Sequence, residues 1–254
     1  MFRRLNLRKC RLMIDVSRRW HQTSLTTDLI ENMDKKATWD RFYTETSSHQ
    51  KTDKFKNFEW FFGFDSVQDF ILPLLKHPAE LDPLVHVLDM GCGTSAMGPC
   101  IYRQSPVPVV VTCADISPVA VELMQEHTKR TQVKPQNQLS RLGFLELDCT
   151  QLREHFGPQS LDLIVDKGTT DALLRSRDGQ AKAGQILRQC LGVLRGAGSL
   201  VQFSDEDPDA RILWLERETL STGEVTANVG FQEVGVVRGV CYYCYQITPH
   251  NAAQ

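Results

Sequence analysis

Four apolar runs in the chain each end on an aspartate: Asp89, Asp115, Asp148 and Asp166. One aspartate at a strand end is ordinary turn chemistry. Four of them, converging on one edge of one sheet, make a site. Asp89 is followed by Gly91-Cys92-Gly93, whose glycines let the backbone turn tightly and approach a ligand ahead of a helix N-terminus. The same spacing fits a dinucleotide fingerprint. A carboxylate just before the first glycine repels a pyrophosphate, however, and welcomes a cation. Asp115, 22 residues past Gly93, is placed to accept hydrogen bonds from ribose hydroxyls. Asp148, beside Cys149, is placed to accept from an adenine amino group. Together these residues point to a nucleoside that carries a positive centre and no phosphates.

The fourth exit reads Asp166-Lys167-Gly168-Thr169-Thr170-Asp171 and spends charge of both signs where a buried strand ends. Asp166 is expected to orient an incoming amine, and Lys167 to serve a ligand carboxylate or to fix the loop. The plainer reading is a solvated turn in which a threonine caps the next helix. A second acidic run, Ser204-Asp205-Glu206-Asp207-Pro208-Asp209, has the composition of a helix start. It would also rim a substrate entrance and attract a basic partner.

Positioning these exits requires strands that alternate with helices. Short apolar strands are expected at 84–89, 107–115, 142–147, 161–165 and 199–203. Helices are expected from Asp65 to His77, over Val119–Arg130, from Thr169 or Thr170, over Gln180–Leu194 and over Ala210–Glu218. Two further strands, 231–237 and 240–247, lie close enough in sequence to pair antiparallel. The pattern is an α/β fold: a doubly wound, mostly parallel seven-strand sheet with an antiparallel C-terminal strand. Ligands of such sheets bind outside the carboxyl ends of the strands, where the strand order reverses.

The overall charge of −2 hides an asymmetry. Residues 1–24 hold seven arginines and lysines against Asp15 alone, which leaves the remainder at −8. An Arg-rich, acid-poor, amphipathic head is the composition of a mitochondrial transit peptide, so the expected location is the mitochondrial matrix. An acidic mature chain disfavours a nucleic-acid partner, and no apolar run reaches the roughly 18 residues of a membrane span. The eight cysteines are scattered through apolar segments. The one CxxC, Cys241 to Cys244, falls in a strand that turns its sulfurs to opposite faces, so no metal site is expected. Residues 25–57 are read as a cap over the ligand site and 58–249 as the catalytic domain.

Six segments then carry a resemblance: WDRFY (39–43), FEWFFGFD (58–65), LDMGCGTSAM (88–97), DISPVAVELM (115–124), DKGTTDALL (166–174) and LVQFSDEDPD (200–209). They resemble the class I, seven-strand methyltransferases over roughly residues 39–247, and within them the protein-lysine methyltransferases marked by a D/E-K-G-T-x-D run. The resemblance implies S-adenosyl-L-methionine as cofactor and S-adenosyl-L-homocysteine as product. It implies a mitochondrial protein substrate, citrate synthase, methylated on lysine. By the same resemblance Trp39 and Phe58 close over the cofactor, and Gly91 and Gly93 meet its methionine portion. Asp115 and Ile116 hold the ribose, Asp148 and Cys149 border the adenine, and Lys167 lies near. A small-molecule methyltransferase and a non-catalytic assembly factor that keeps the fold remain open on the residues alone.

Overall fold

The computed structural model describes residues 29–48, 55–76, 83–220 and 226–250. The basic head of residues 1–24 lies outside them. Seven strands form one sheet: β1 (Val85–Met90), β2 (Val109–Asp115), β3 (Arg141–Glu146), β4 (Leu161–Lys167), β5 (Leu194–Ser204), β6 (Thr226–Val237) and β7 (Val240–His250). Their order is β3-β2-β1-β4-β5-β7-β6. The five strands β1 to β5 pair in parallel, whereas β7 is antiparallel to both β5 and β6. The direction of winding reverses between β1 and β4, so the crevice at their carboxyl ends is where a ligand belongs.

Main helices are α1 (Lys36–Ser48), α2 (Met97–Gln104), α3 (Pro118–Thr131), α4 (Thr169–Arg175), α5 (Gln180–Val193) and α6 (Pro208–Leu220). Side chains on successive strand residues point to opposite faces, and two apolar layers result. Val85, Val87, Leu163 and Val165 pack on one face with Ile101 of α2. Leu88, Met90 and Ile164 pack on the other with Ile186, Leu187 and Cys190 of α5. Cys241 is partly exposed and Cys244 buried, as opposite faces of β7 require.

The helix expected from Asp65 to His77 is instead a chain of short turns, Phe64–Ser66, Gln68–Ile71 and Leu72–Leu74. Its apolar spacing is helical, but Pro73 has no N–H to donate and stops the ladder. Val67, Ile71 and Leu75 are buried regardless, so burial period and hydrogen-bonded helix part company here.

Candidate active site

The same two-face rule explains the mixed charge at the exit of β4. Asp166 and Lys167 are neighbours on a strand, so each serves a different side of the sheet. Asp166 is 1% exposed and faces α4. Its Oδ1 accepts from the backbone N–H of Thr169 at 2.9 Å, and its Oδ2 from Gln202 Nε2 at 3.1 Å and from the Thr170 hydroxyl. The third charge of the run, Asp171, accepts from Ser204 Oγ at 2.6 Å and from Arg211 Nη2 at 2.9 Å, which ties α4 to α6.

Lys167 faces the opposite layer and clamps a loop. Its Nζ donates to Glu59 and to the carbonyls of Trp60 and Phe62, both at 3.1 Å. Phe61 between them has φ +63°, a left-handed conformation that costs a non-glycine residue about 1–2 kcal/mol. Glu59 in turn accepts from Ser95 Oγ at 2.7 Å and from Ala96 N at 2.8 Å, so one carboxylate joins this loop to the start of α2. Lys167→Met is expected to lower stability by about 2–4 kcal/mol, because it strands a partly buried carboxylate and leaves the Trp60 and Phe62 carbonyls without their donor. Denaturant unfolding checks this; an unchanged midpoint would remove the clamp.

The other exits order their own loops. Asp115 accepts from the N–H groups of Gly93 and Ser117, both at 2.8 Å. Asp148 Oδ1 accepts from Thr150 N at 2.9 Å and Thr150 Oγ1 at 2.7 Å. Asp89 turns toward α2 and accepts from Gly98 N at 2.8 Å. Gly91 and Gly93 have φ of +60° and +52°. A Cβ on Gly91 would collide with Thr169 Oγ1, and one on Gly93 with the Tyr43 hydroxyl. The glycine loop is therefore pressed from two sides by the chain's own residues.

Above these exits lies α1, tied down on both flanks. Lys36 pairs with Glu146 and Asp40 accepts from Ser117 Oγ at 2.6 Å on one side. On the other, Arg177 N donates to Glu31 O at 3.1 Å and Lys182 Nζ to Asp34 O at 2.7 Å. Trp39 and Tyr43, one turn apart on α1, stack with centroids 6.1 Å apart, and Trp60 meets Trp39 edge-on at 6.0 Å. Between helix and strand exits is a cavity of about 730 Å³, part of it open to solvent. Ile116, Leu147, Cys149 and Ile186 give it an apolar wall, and Asp34, Asp115 and Asp148 supply carboxylates. A wider groove near Phe156 and Leu191 lies at the amino ends of the strands and has no carboxylate.

Comparison with known proteins shows the family. A methyltransferase domain model matches residues 81–217. The chain is 66% identical to the mitochondrial citrate synthase-lysine N-methyltransferase of Danio rerio, over 92% of this chain and 91% of that one. It is 40% identical to the Homo sapiens protein of the same name, over 82% and 84% of the two chains. The chain belongs to this methyltransferase family. A solved SAM-dependent methyltransferase from Methanosarcina mazei shares its fold, with a TM-score of 0.51 at 14% identity over 66% of this chain and 93% of that one.

In this methyltransferase the cavity gathers Trp39, Gly91, Asp115, Ile116, Asp148, Cys149 and Lys167 of the residues expected from sequence. Four others stand behind it. Phe58 packs on Phe42 and Trp60 at 5.3 and 5.4 Å. Gly93 belongs to the glycine loop and lies against the Tyr43 hydroxyl, and Asp89 turns to Gly98 N. Asp166, expected to meet the amine, has both oxygens committed to α4 and Gln202 and does not line the cavity. Tyr43, Trp60, Asp34, Thr169 and Lys182 line it and were not singled out. Tyr43 had a signal: WDRFY places it one helical turn from Trp39. The acidic run after β5 is largely helix architecture, with Asp205 buried against Arg175 and Asp207 accepting from Asp209 N at 3.0 Å.

Burial pushes three carboxyls up: Asp89 to about 7, and Asp115 and Asp166 to about 6. Raised carboxyl values mean that the folded state holds protons the unfolded state has released. The resulting stability is complete below about pH 4 and is lost as pH climbs through 6 and 7. The ligand-free protein is expected to melt at a lower temperature at pH 7.5 than at pH 5.5, and Asp89→Asn to flatten that slope. A melting temperature that rises over this interval contradicts the assignment.

Proposed function

We infer that the chain transfers a methyl group from S-adenosylmethionine to a lysine amine of citrate synthase in the mitochondrion. The observation that carries this reading is 66% identity, along nearly the whole chain, to an enzyme named for that reaction and compartment. The basic head of residues 1–24 has the composition of the leader that such a location needs.

The cavity residues fit the cofactor. Its three lysines are all engaged: Lys35 Nζ donates to Asn32 Oδ1 at 2.6 Å, Lys167 holds Glu59, and Lys182 holds Asp34. Two of the three ammoniums are thus neutralised by carboxylates, and the lining's carboxylates and aromatic residues favour a cation. Asp115 would hold the ribose hydroxyls, and Ile116, Leu147 and Ile186 would enclose the base with Asp148 beside it. Gly91 lets the backbone approach the amino-acid portion.

Bound there, S-adenosylmethionine supplies a methyl group already activated by its sulfonium. The chain's own work is then alignment and exclusion of water. Trp39, Tyr43 and Trp60 line the cavity and supply aromatic surface of the kind that attracts positive charge. The target lysine, with an ordinary pKa of about 10.4, must lose a proton before its nitrogen can act.

Purified protein incubated with radiolabelled S-adenosylmethionine and a matrix extract tests the reading. One labelled band, identified by mass spectrometry as lysine-methylated citrate synthase, is the expected result. Labelled metabolites would indicate a small-molecule enzyme, and cofactor binding without label an assembly factor; either overturns it.

A further inference from the structure

The outer face of α6 carries an apolar stripe that no described residue covers. On its inner face Arg211, Leu215 and Thr219 recur every fourth position and are buried, and Leu215 joins the apolar layer of Leu200 and Tyr245. On the opposite face Leu213, Glu216, Arg217 and Leu220 follow the i, i+3, i+4, i+7 spacing of a single stripe, and all four are exposed. Leu213 is 68% and Leu220 71% exposed, the two highest values for a large apolar side chain among the described residues. One exposed leucine is ordinary. Two of them, seven positions apart on one face, have the spacing of the seam along which paired helices pack.

The charges between the leucines narrow what can cover them. A carboxylate and a guanidinium, Glu216 and Arg217, stand side by side at the centre of the stripe. Place a two-fold axis between these two positions and lay a second α6 antiparallel on the first. Leu213 then lies opposite the partner's Leu220, and Glu216 opposite the partner's Arg217. Each contact occurs twice, as an interface between identical patches requires. A parallel pair in register would set glutamate against glutamate and arginine against arginine, which repel. Arg217 is lightly held on its own chain: its side chain is 71% exposed and its Nε lies 3.6 Å from Glu218 Oε1. Asp209, one turn ahead of Leu213, is the other exposed acid on this face and falls outside the paired span.

We propose that the outer face of α6 docks a second copy of this chain, antiparallel about that two-fold axis. The helix axes would lie about 8–10 Å apart. Four residues a side make a small contact, so the dimer is weak and reversible. No residue of α6 lines the cofactor cavity, so both copies keep that cavity open. The pairing is independent of the reaction under Proposed function.

Sedimentation equilibrium of the full chain tests this. Expected is a monomer–dimer equilibrium with a Kd of about 1–100 μM. Leu213→Glu and Leu220→Glu are each expected to weaken the dimer more than about tenfold and to leave the melting temperature of the monomer unchanged, since both side chains are already exposed. Glu216→Arg and Arg217→Glu each bring like charges together and weaken it about tenfold. Combined in one chain, the two exchanges reverse both signs and should restore the Kd to within about threefold, a coupling that helix stability alone would not produce. A chain that stays monomeric to about 1 mM overturns the proposal. So does a dimer that survives both leucine variants, or one that the double exchange fails to restore. A chain that is monomeric alone but binds citrate synthase, and loses that binding in Leu213→Glu, gives the face to the substrate and overturns it as well.

Discussion

Asp115→Ala is expected to weaken S-adenosylmethionine binding by more than about 100-fold and to take methylation below detection. Two losses coincide at this position. The N–H groups of Gly93 and Ser117, both bonded to the carboxylate at 2.8 Å, are left without an acceptor in a buried setting. Each unmet donor costs about 1–3 kcal/mol. The glycine loop and the start of α3 therefore lose their common anchor, and the cavity loses the acceptor placed for ribose hydroxyls. Asp115→Asn is expected to be milder in stability, since burial already penalises the ionised carboxyl and raises it to about 6. It should still bind cofactor poorly, because an amide presents one acceptor where two are used. Calorimetry and thermal unfolding on both variants separate the effects. Full affinity in Asp115→Ala would take Asp115 out of the site.

Gly91→Ala is expected to cost about 2–4 kcal/mol in stability and at least tenfold in cofactor affinity. A left-handed φ of +60° strains any residue with a Cβ by about 1–2 kcal/mol. The added methyl also meets Thr169 Oγ1, which is held by its own bond to the Met90 carbonyl at 3.1 Å and cannot swing away freely. The exits of β1 and β4 must separate, and the cavity floor moves with them. Thr169→Ala in the same chain removes the hydroxyl from the collision but leaves that residue's own Cβ at 3.0 Å and the backbone strain. The double variant should recover part of the loss, a coupling that a double-mutant cycle measures directly. Strict additivity would place the two residues apart and contradict the packing.

The sheet was legible because parallel strands are buried on both faces and read as apolar runs such as Leu161–Val165. The exit aspartates were legible as a group because they end those runs. What each one touches was not. Asp89 and Asp166 point away from the cavity because side chains alternate along a strand, and a shift of one position from Asp166 to Lys167 changes the face served. The pairing of Lys167 with the loop 59–62 joins residues more than a hundred positions apart, which local pattern does not encode. Asp34 lies in a polar, broken stretch with no periodicity, and only its burial under α1 distinguishes it. Pro73 shows the reverse case, where the apolar spacing of a helix persists after its hydrogen bonds have stopped.

Everything proposed for the catalytic chemistry requires that the space between α1 and the exits of β1, β2 and β4 hold a cationic adenosyl donor. Isothermal titration of the folded chain with S-adenosylmethionine, with S-adenosylhomocysteine and with a nicotinamide dinucleotide tests this most directly. Saturable one-to-one binding of the first two, abolished in Asp115→Ala, and no heat with the dinucleotide is the predicted outcome. Binding of the dinucleotide alone, or no heat with either adenosyl compound, would contradict the account.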